Sequence, residues 1–175
     1  MIKYFSLVLL MFAGYSLFAL KTEGKINLPP VKTFYESCAK CHGLEGESFK
    51  SGLKKLNDYD LYKISEEMMY GPSFLTPGEA DVYAMTSYMK SLAYDLPFIA
   101  AEKTADDKLR IIELSEGTIA IVADSVYNSE NLSGLNDALH KSDTYEVLIK
   151  KGSNEVKIDL NENRLYPQIK TGSIN

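Results

Sequence analysis

Apolar positions follow two different rhythms along this chain. Between residues 31 and 96 they recur at intervals of three and four, the spacing of helices with one buried face. Beyond residue 105 they alternate or run in short β-branched blocks. The first rhythm begins after Pro29-Pro30, a hard start signal, and predicts a helix over 31–40 with Val31, Phe34 and Tyr35 inward. Residues 47–58 carry Lys, Ser and Gly and read as an exposed loop. A second helix is predicted over 60–70, with Leu61, Ile64 and Met68 as its buried stripe and Gly71-Pro72 as its stop. A closing helix follows: Thr76 is the N-cap candidate, Pro77 takes the first helical position and Glu79 completes a capping box. Its stripe is Val82, Met85, Met89, Leu92 and Leu96, and Pro97 ends it. The second rhythm predicts strands over 108–114 and 118–123 around a Glu-Gly turn, and a helix over 132–140. A hairpin of 145–150 with 155–160 is expected to turn at 151–154, and the tail from Asn161 is polar.

The N-terminus reads as an export signal over 1–20. Met1-Ile2-Lys3 is a short basic lead, Phe5 to Leu20 is apolar, and Leu17-Phe18-Ala19 offers a cleavage point after Ala19. The same segment left uncleaved would be a membrane anchor; Ser6, Gly14 and Ser16 interrupt it. Either way the rest of the chain is expected outside the cytoplasm. The net charge is −5 and no basic tract offers phosphate contacts, which argues against nucleic acid as a partner.

The chain has two cysteines and two histidines, and three of these four residues form Cys38-Ala39-Lys40-Cys41-His42. C-x-x-C-H is the pattern of covalent c-type haem attachment. Cysteines three apart share one face of a helical turn, so both sulfurs can reach the two vinyl groups of one porphyrin. His42 follows directly, placed to bind iron as the proximal ligand. A structural zinc site wants a second ligand pair, and His140 is far away in sequence. A thioredoxin-like redox pair wants a preceding strand, but helix precedes Cys38 and His42 would go unused.

Thr33-Phe34-Tyr35-Glu36-Ser37 leads into the motif and Gly43-Leu44-Glu45-Gly46 follows it. This run resembles the start of a class I monohaem cytochrome c. Tyr88-Met89-Lys90-Ser91-Leu92 is similar to that family's closing "YLxSL" helix. The resemblance covers about residues 30–96. It implies a mainly α cytochrome c domain over 25–100, carrying one covalent haem c held by Cys38, Cys41 and His42. A small α+β module is expected over 105–175, with no role assigned by its sequence. Within that module, Gly117 to Val122, then Leu132 to Leu139, then Tyr145 to Gly152 faintly resemble the later half of a PDZ domain.

The resembled family places its sixth iron ligand, a Met, in a "GxMPxF" loop. Here Pro72-Ser73-Phe74 matches the "PxF", but Gly71 stands where Met would be. Met85 and Met89 lie on the closing helix's stripe and read as core. Met69 points off the predicted stripe and is the first candidate ligand; Met68 is the alternative. A filled sixth position implies an electron carrier rather than an enzyme, with other redox proteins as partners and residues 105–175 as a possible dock to a larger complex. An open position implies a haem enzyme subunit or a gas sensor. Lys50, Lys54 and Lys55 read as a solvated face or as a docking rim.

Overall fold

The computed structural model describes residues 25–104, 108–142 and 146–159. The export signal, the predicted strand positions 145 and 160, and the polar tail lie outside the described residues. Among the described residues no helix is long and apolar enough to cross a membrane.

Four helical elements come first. α1 starts as Pro30–Thr33, widens into a π-helical segment at Phe34–Cys38 and resumes as Ala39–His42. Pro30 suits the first position because its missing N–H would be unpaired there anyway. α2 is a single turn, Lys50–Leu53, inside the stretch expected to be loop. α3 spans Asp58–Tyr70, and Asn57 caps it by accepting from Asp60 N at 2.9 Å. α4 spans Glu79–Tyr94. Its cap sits two residues later than the sequence predicts. Gly78 is the cap and Asp81 closes the turn, accepting from Gly78 N at 2.9 Å. Asp81 takes this role because its other oxygen accepts from Asn27 N (2.7 Å) and Leu28 N (2.8 Å), fixing the lead into α1 on the start of α4.

The strands are β1 Ile99–Lys103, β2 Leu109–Leu114, β3 Thr118–Val122 and β4 Ser125–Tyr127, then β5 Glu146–Lys151 and β6 Asn154–Asp159. Helix α5, Leu132–Ser142, lies between β4 and β5. β1 pairs antiparallel with β2; the other four form an antiparallel sheet in the order β4-β3-β5-β6. The β5–β6 register runs from Glu146 opposite Asp159 to Lys151 opposite Asn154, a two-residue turn at Gly152-Ser153.

This architecture corrects the expected fold class. The chain is not a mainly α cytochrome c domain followed by a small α+β domain. The described residues contain two antiparallel sheets with six strands, and most of the C-terminal region is strand. The departure begins at β1, inside the stretch assigned to the helical unit. Ile99-Ala100-Ala101-Glu102-Lys103 has few strand-favouring side chains, so its sequence does not announce a strand. Its alternation is nevertheless used in full. Phe98 and Ala100 belong to the core of the helices, whereas Ile99 and Ala101 belong to the core of the sheet and α5. The β1–β2 hairpin is thus a layer shared by both cores. α4 is buried nearly all round, and Tyr88 on it packs against Phe98 at the entry to the hairpin, ring centroids 5.1 Å apart.

Three contacts weld the layers. Glu113 of β2 accepts from Val31 N (2.8 Å) and Lys32 N (3.1 Å), so a carboxylate from the sheet caps the helix carrying the cysteines. Tyr35 donates to Glu116 Oε2 at 3.2 Å. At the far end of α4, Lys151 reaches Asp95 at 3.0 Å and Asn154 Nδ2 donates to the Asp95 carbonyl at 2.8 Å.

Candidate functional site

The C-x-x-C-H residues lie at the end of α1, across its change from π to α geometry. The π segment arises because Ala39 N bonds to the Phe34 carbonyl, one residue farther back than in an α-helix. Phe34 is 1% exposed and packs edge-on against Tyr88, with ring centroids 5.6 Å apart. This anchors the segment in the core while Cys38 reaches its edge. Both cysteines are free thiols; Cys38 is half-buried and Cys41 exposed. Burial pushes the Cys38 thiol up, with Ser73 opposing and Cys41 adding to the rise.

Gly43, at φ 82°, ends the helix, and its N–H returns to the Ala39 carbonyl at 2.8 Å. Gly46, at φ 69°, turns the chain again, and a Cβ there would run into the Phe49 ring. These two reversals carry Ser48 back to His42. Ser48 N donates to the His42 carbonyl at 3.3 Å, and Ser48 Oγ lies 3.0 Å from His42 Nδ1. Phe49 stands beside the same ring, centroids 5.2 Å apart.

The turn after α3 closes over Cys38. Ser73 Oγ lies 3.9 Å from Cys38 Sγ. Ser73 N donates to the Met68 carbonyl, Phe74 N to the Gly71 carbonyl and Leu75 N to the Met69 carbonyl. Phe74 is 90% exposed at φ 53°, a backbone conformation bulky residues seldom adopt. Leu44, two residues past His42, is also largely exposed. Cys38, Cys41 and His42 therefore follow one another at the helix end, with exposed apolar side chains on the adjoining turns. That donor set fits a covalently held porphyrin: two sulfurs for the vinyl carbons, and an imidazole whose Nδ1 has a partner while Nε2 remains for a metal.

Met69 is 1% exposed and belongs to the helical core, whereas Met68 is half-buried. The stripe of α3 runs Leu61, Ser65, Met69, not Leu61, Ile64, Met68, and Ile64 is exposed. Ser65 makes this possible by donating to the Leu61 carbonyl at 2.8 Å, so a polar residue enters the core satisfied. It lies 3.5 Å from Met89 Sδ. Of the tyrosines on these helices, Tyr88 is buried and Tyr62 half-buried against Tyr83, while Tyr59 and Tyr70 are exposed. His140 sits on α5, its Nε2 3.1 Å from the Leu109 carbonyl. Lys50 pairs with Glu45, and Lys54 lies over the Tyr94 ring.

Ser48, Ser73, Glu113 and Asn136 carry structural roles that no sequence pattern marks. Asn136 of α5 accepts from Ile111 N (2.7 Å) and donates to the Ile111 carbonyl (2.9 Å). It occupies the edge of β2 there as an added strand would. Among the described residues, no group of three or more His, Cys, Asp or Glu side chains is gathered that could hold a metal ion. Comparison with family models, curated proteins and solved structures gives no match to this chain.

Proposed function

We propose that this protein is a c-type monohaem electron-transfer protein of the periplasm, exported by its N-terminal segment. The observation that carries the reading is Cys38-Ala39-Lys40-Cys41-His42 at a helix end, both thiols free and His42 Nδ1 already engaged. The likeness of residues 30–96 to class I cytochromes c supports it at the level of motif.

Haem, when bound, supplies a one-electron ferrous–ferric couple. Cys38 and Cys41 would hold it through thioethers, and His42 Nε2 would be the proximal ligand. A sulfur of the 68–69 methionine pair, Met69 first and Met68 as the alternative, would fill the sixth position. No bond to a substrate is made or broken, so the chain's task is to hold the cofactor, exclude water and set the potential. Its partners are other redox proteins met through small transient interfaces. Residues 105–175 would serve as the dock to a larger complex.

One observation favours a second reading, a haem enzyme subunit or gas sensor with an open distal site. Gly71 replaces the loop Met, and Met69 is packed into the protein core. The visible spectrum of the purified holoprotein with and without carbon monoxide separates the two. A low-spin haem indifferent to carbon monoxide is expected of the carrier; a high-spin haem that binds it overturns that reading in favour of the second.

A further inference from the structure

The loop after the haem motif returns to it with one residue, and that residue engages His42 twice. Ser48 N donates to the His42 carbonyl at 3.3 Å, and Ser48 Oγ lies 3.0 Å from His42 Nδ1. The return is built by Gly43 and Gly46, both at positive φ, with Gly46 N donating to the Gly43 carbonyl at 3.1 Å. The carboxylates on this loop are otherwise engaged. Glu45 meets Lys50, and Glu47 Oε2 accepts from Glu45 N at 3.3 Å. The group facing Nδ1 is therefore a neutral hydroxyl.

We propose that Ser48 is the positioning residue for the proximal ligand. Its hydroxyl accepts the Nδ1 proton, fixes the tautomer with Nε2 free, and sets how strongly the imidazole donates to iron. This inference rests on the haem reading above. A neutral imidazole carries one N–H, so a bond that keeps it on Nδ1 leaves the Nε2 lone pair for a metal. An acceptor on the far nitrogen raises the basicity of a metal-bound histidine. A carboxylate acceptor, being charged, would do so more strongly than a hydroxyl. The serine thus orients the ring while keeping its donor strength moderate, which suits a couple meant to stay reducible.

The test is a redox titration at neutral pH of haem-loaded wild type, Ser48→Ala, Ser48→Thr and Ser48→Asp, with covalent haem measured on each denatured chain. In Ser48→Ala the ferric form should lose roughly tenfold in stability relative to the ferrous, a positive shift of about 59 mV for one electron. Ser48→Thr, which keeps the hydroxyl, should stay at the wild-type value. Ser48→Asp should shift the opposite way to Ser48→Ala. A haem-bearing Ser48→Ala with the wild-type potential overturns the role of Ser48 alone, as does a shift of Ser48→Ala and Ser48→Asp in the same direction. Chains that carry no covalent haem in any variant overturn the haem reading and this role with it.

Discussion

Cys38 and Cys41 share a helical end but not an environment. Cys38 is half-buried beside Ser73 and Cys41 faces solvent, so the two thiols are chemically unequal before any cofactor arrives. Asp81 is another residue whose part is larger than its sequence suggests. It is 1% exposed and receives three backbone N–H groups, from Asn27, Leu28 and Gly78. Asp81→Ala leaves those donors without their acceptor and should cost at least about 3 kcal/mol, read by chemical denaturation. Met69→Ala should cost about 2–5 kcal/mol from its lost packing, and Met68→Ala clearly less. The spin state of the ferric haem reports separately: a change to high spin in Met69→Ala alone identifies Met69 as the ligand, and no change in either variant rules both out. At this scale the proposed haem ligands are named by sequence alone, because the chemistry proposed for them lies in the C-x-x-C-H spacing. The phase of α3 is not legible in this way. Intervals of three and four are equally helical, and the buried stripe passes through polar Ser65, whose bond to the Leu61 carbonyl satisfies it there, so apolar spacing alone points to Met68 rather than Met69.

The helix bearing the cysteines has its start set by the sheet, because Glu113 reaches it from β2. Burial raises the Glu113 carboxyl above its ordinary 4.5, with the Val31 and Lys32 N–H groups and the Lys32 charge opposing. A carboxyl raised on folding binds its proton more tightly in the folded chain. Its contribution to stability is therefore full below the unfolded value and is lost as pH rises through the folded value. Thermal midpoints measured from pH 4 to 7 should show wild type losing stability relative to Glu113→Gln across that window; parallel curves would rule this out. The turn at Gly46 makes an equally local demand. Gly46→Ala meets both the positive φ and the Phe49 ring, and should lower stability by about 1–2 kcal/mol and displace Ser48 from His42. The longer helices and the C-terminal hairpin are legible from periodicity and turn residues, whereas the single turn Lys50–Leu53 is not. Nor is β1, since Ala100 and Ala101 carry no strand signal and their small size matters only between two cores. The start of α4 was misplaced by two residues because Asp81 serves a distant segment as well as its own helix.

Across the whole molecule, helices and sheets share a layer rather than a linker. Phe98, where the chain leaves the helices, is fully buried, and its carbonyl accepts from Ser115 N at 3.1 Å. Tyr88, buried against Phe34 and Phe98, has its phenol pushed well up by burial, with Tyr35 next in effect. Tyr35 in turn donates to Glu116 at the end of the hairpin. Unfolding followed by haem absorbance and by far-ultraviolet circular dichroism should therefore give one coincident transition; two separated midpoints would show the layers to be independent. Long-range sharing of this kind has no local signature, which is why the sequence suggests a mainly α domain followed by a small α+β module and not the hairpin common to both cores.

The central claim is that this chain carries haem by covalent bonds at Cys38 and Cys41. The most direct measurement is the intact mass of the denatured protein, produced in cells that attach c-type haem. The account requires the polypeptide plus one haem, lost in the Cys38→Ala, Cys41→Ala variant. A wild-type mass equal to the bare polypeptide, with any haem colour extracted by acid solvent, would contradict it.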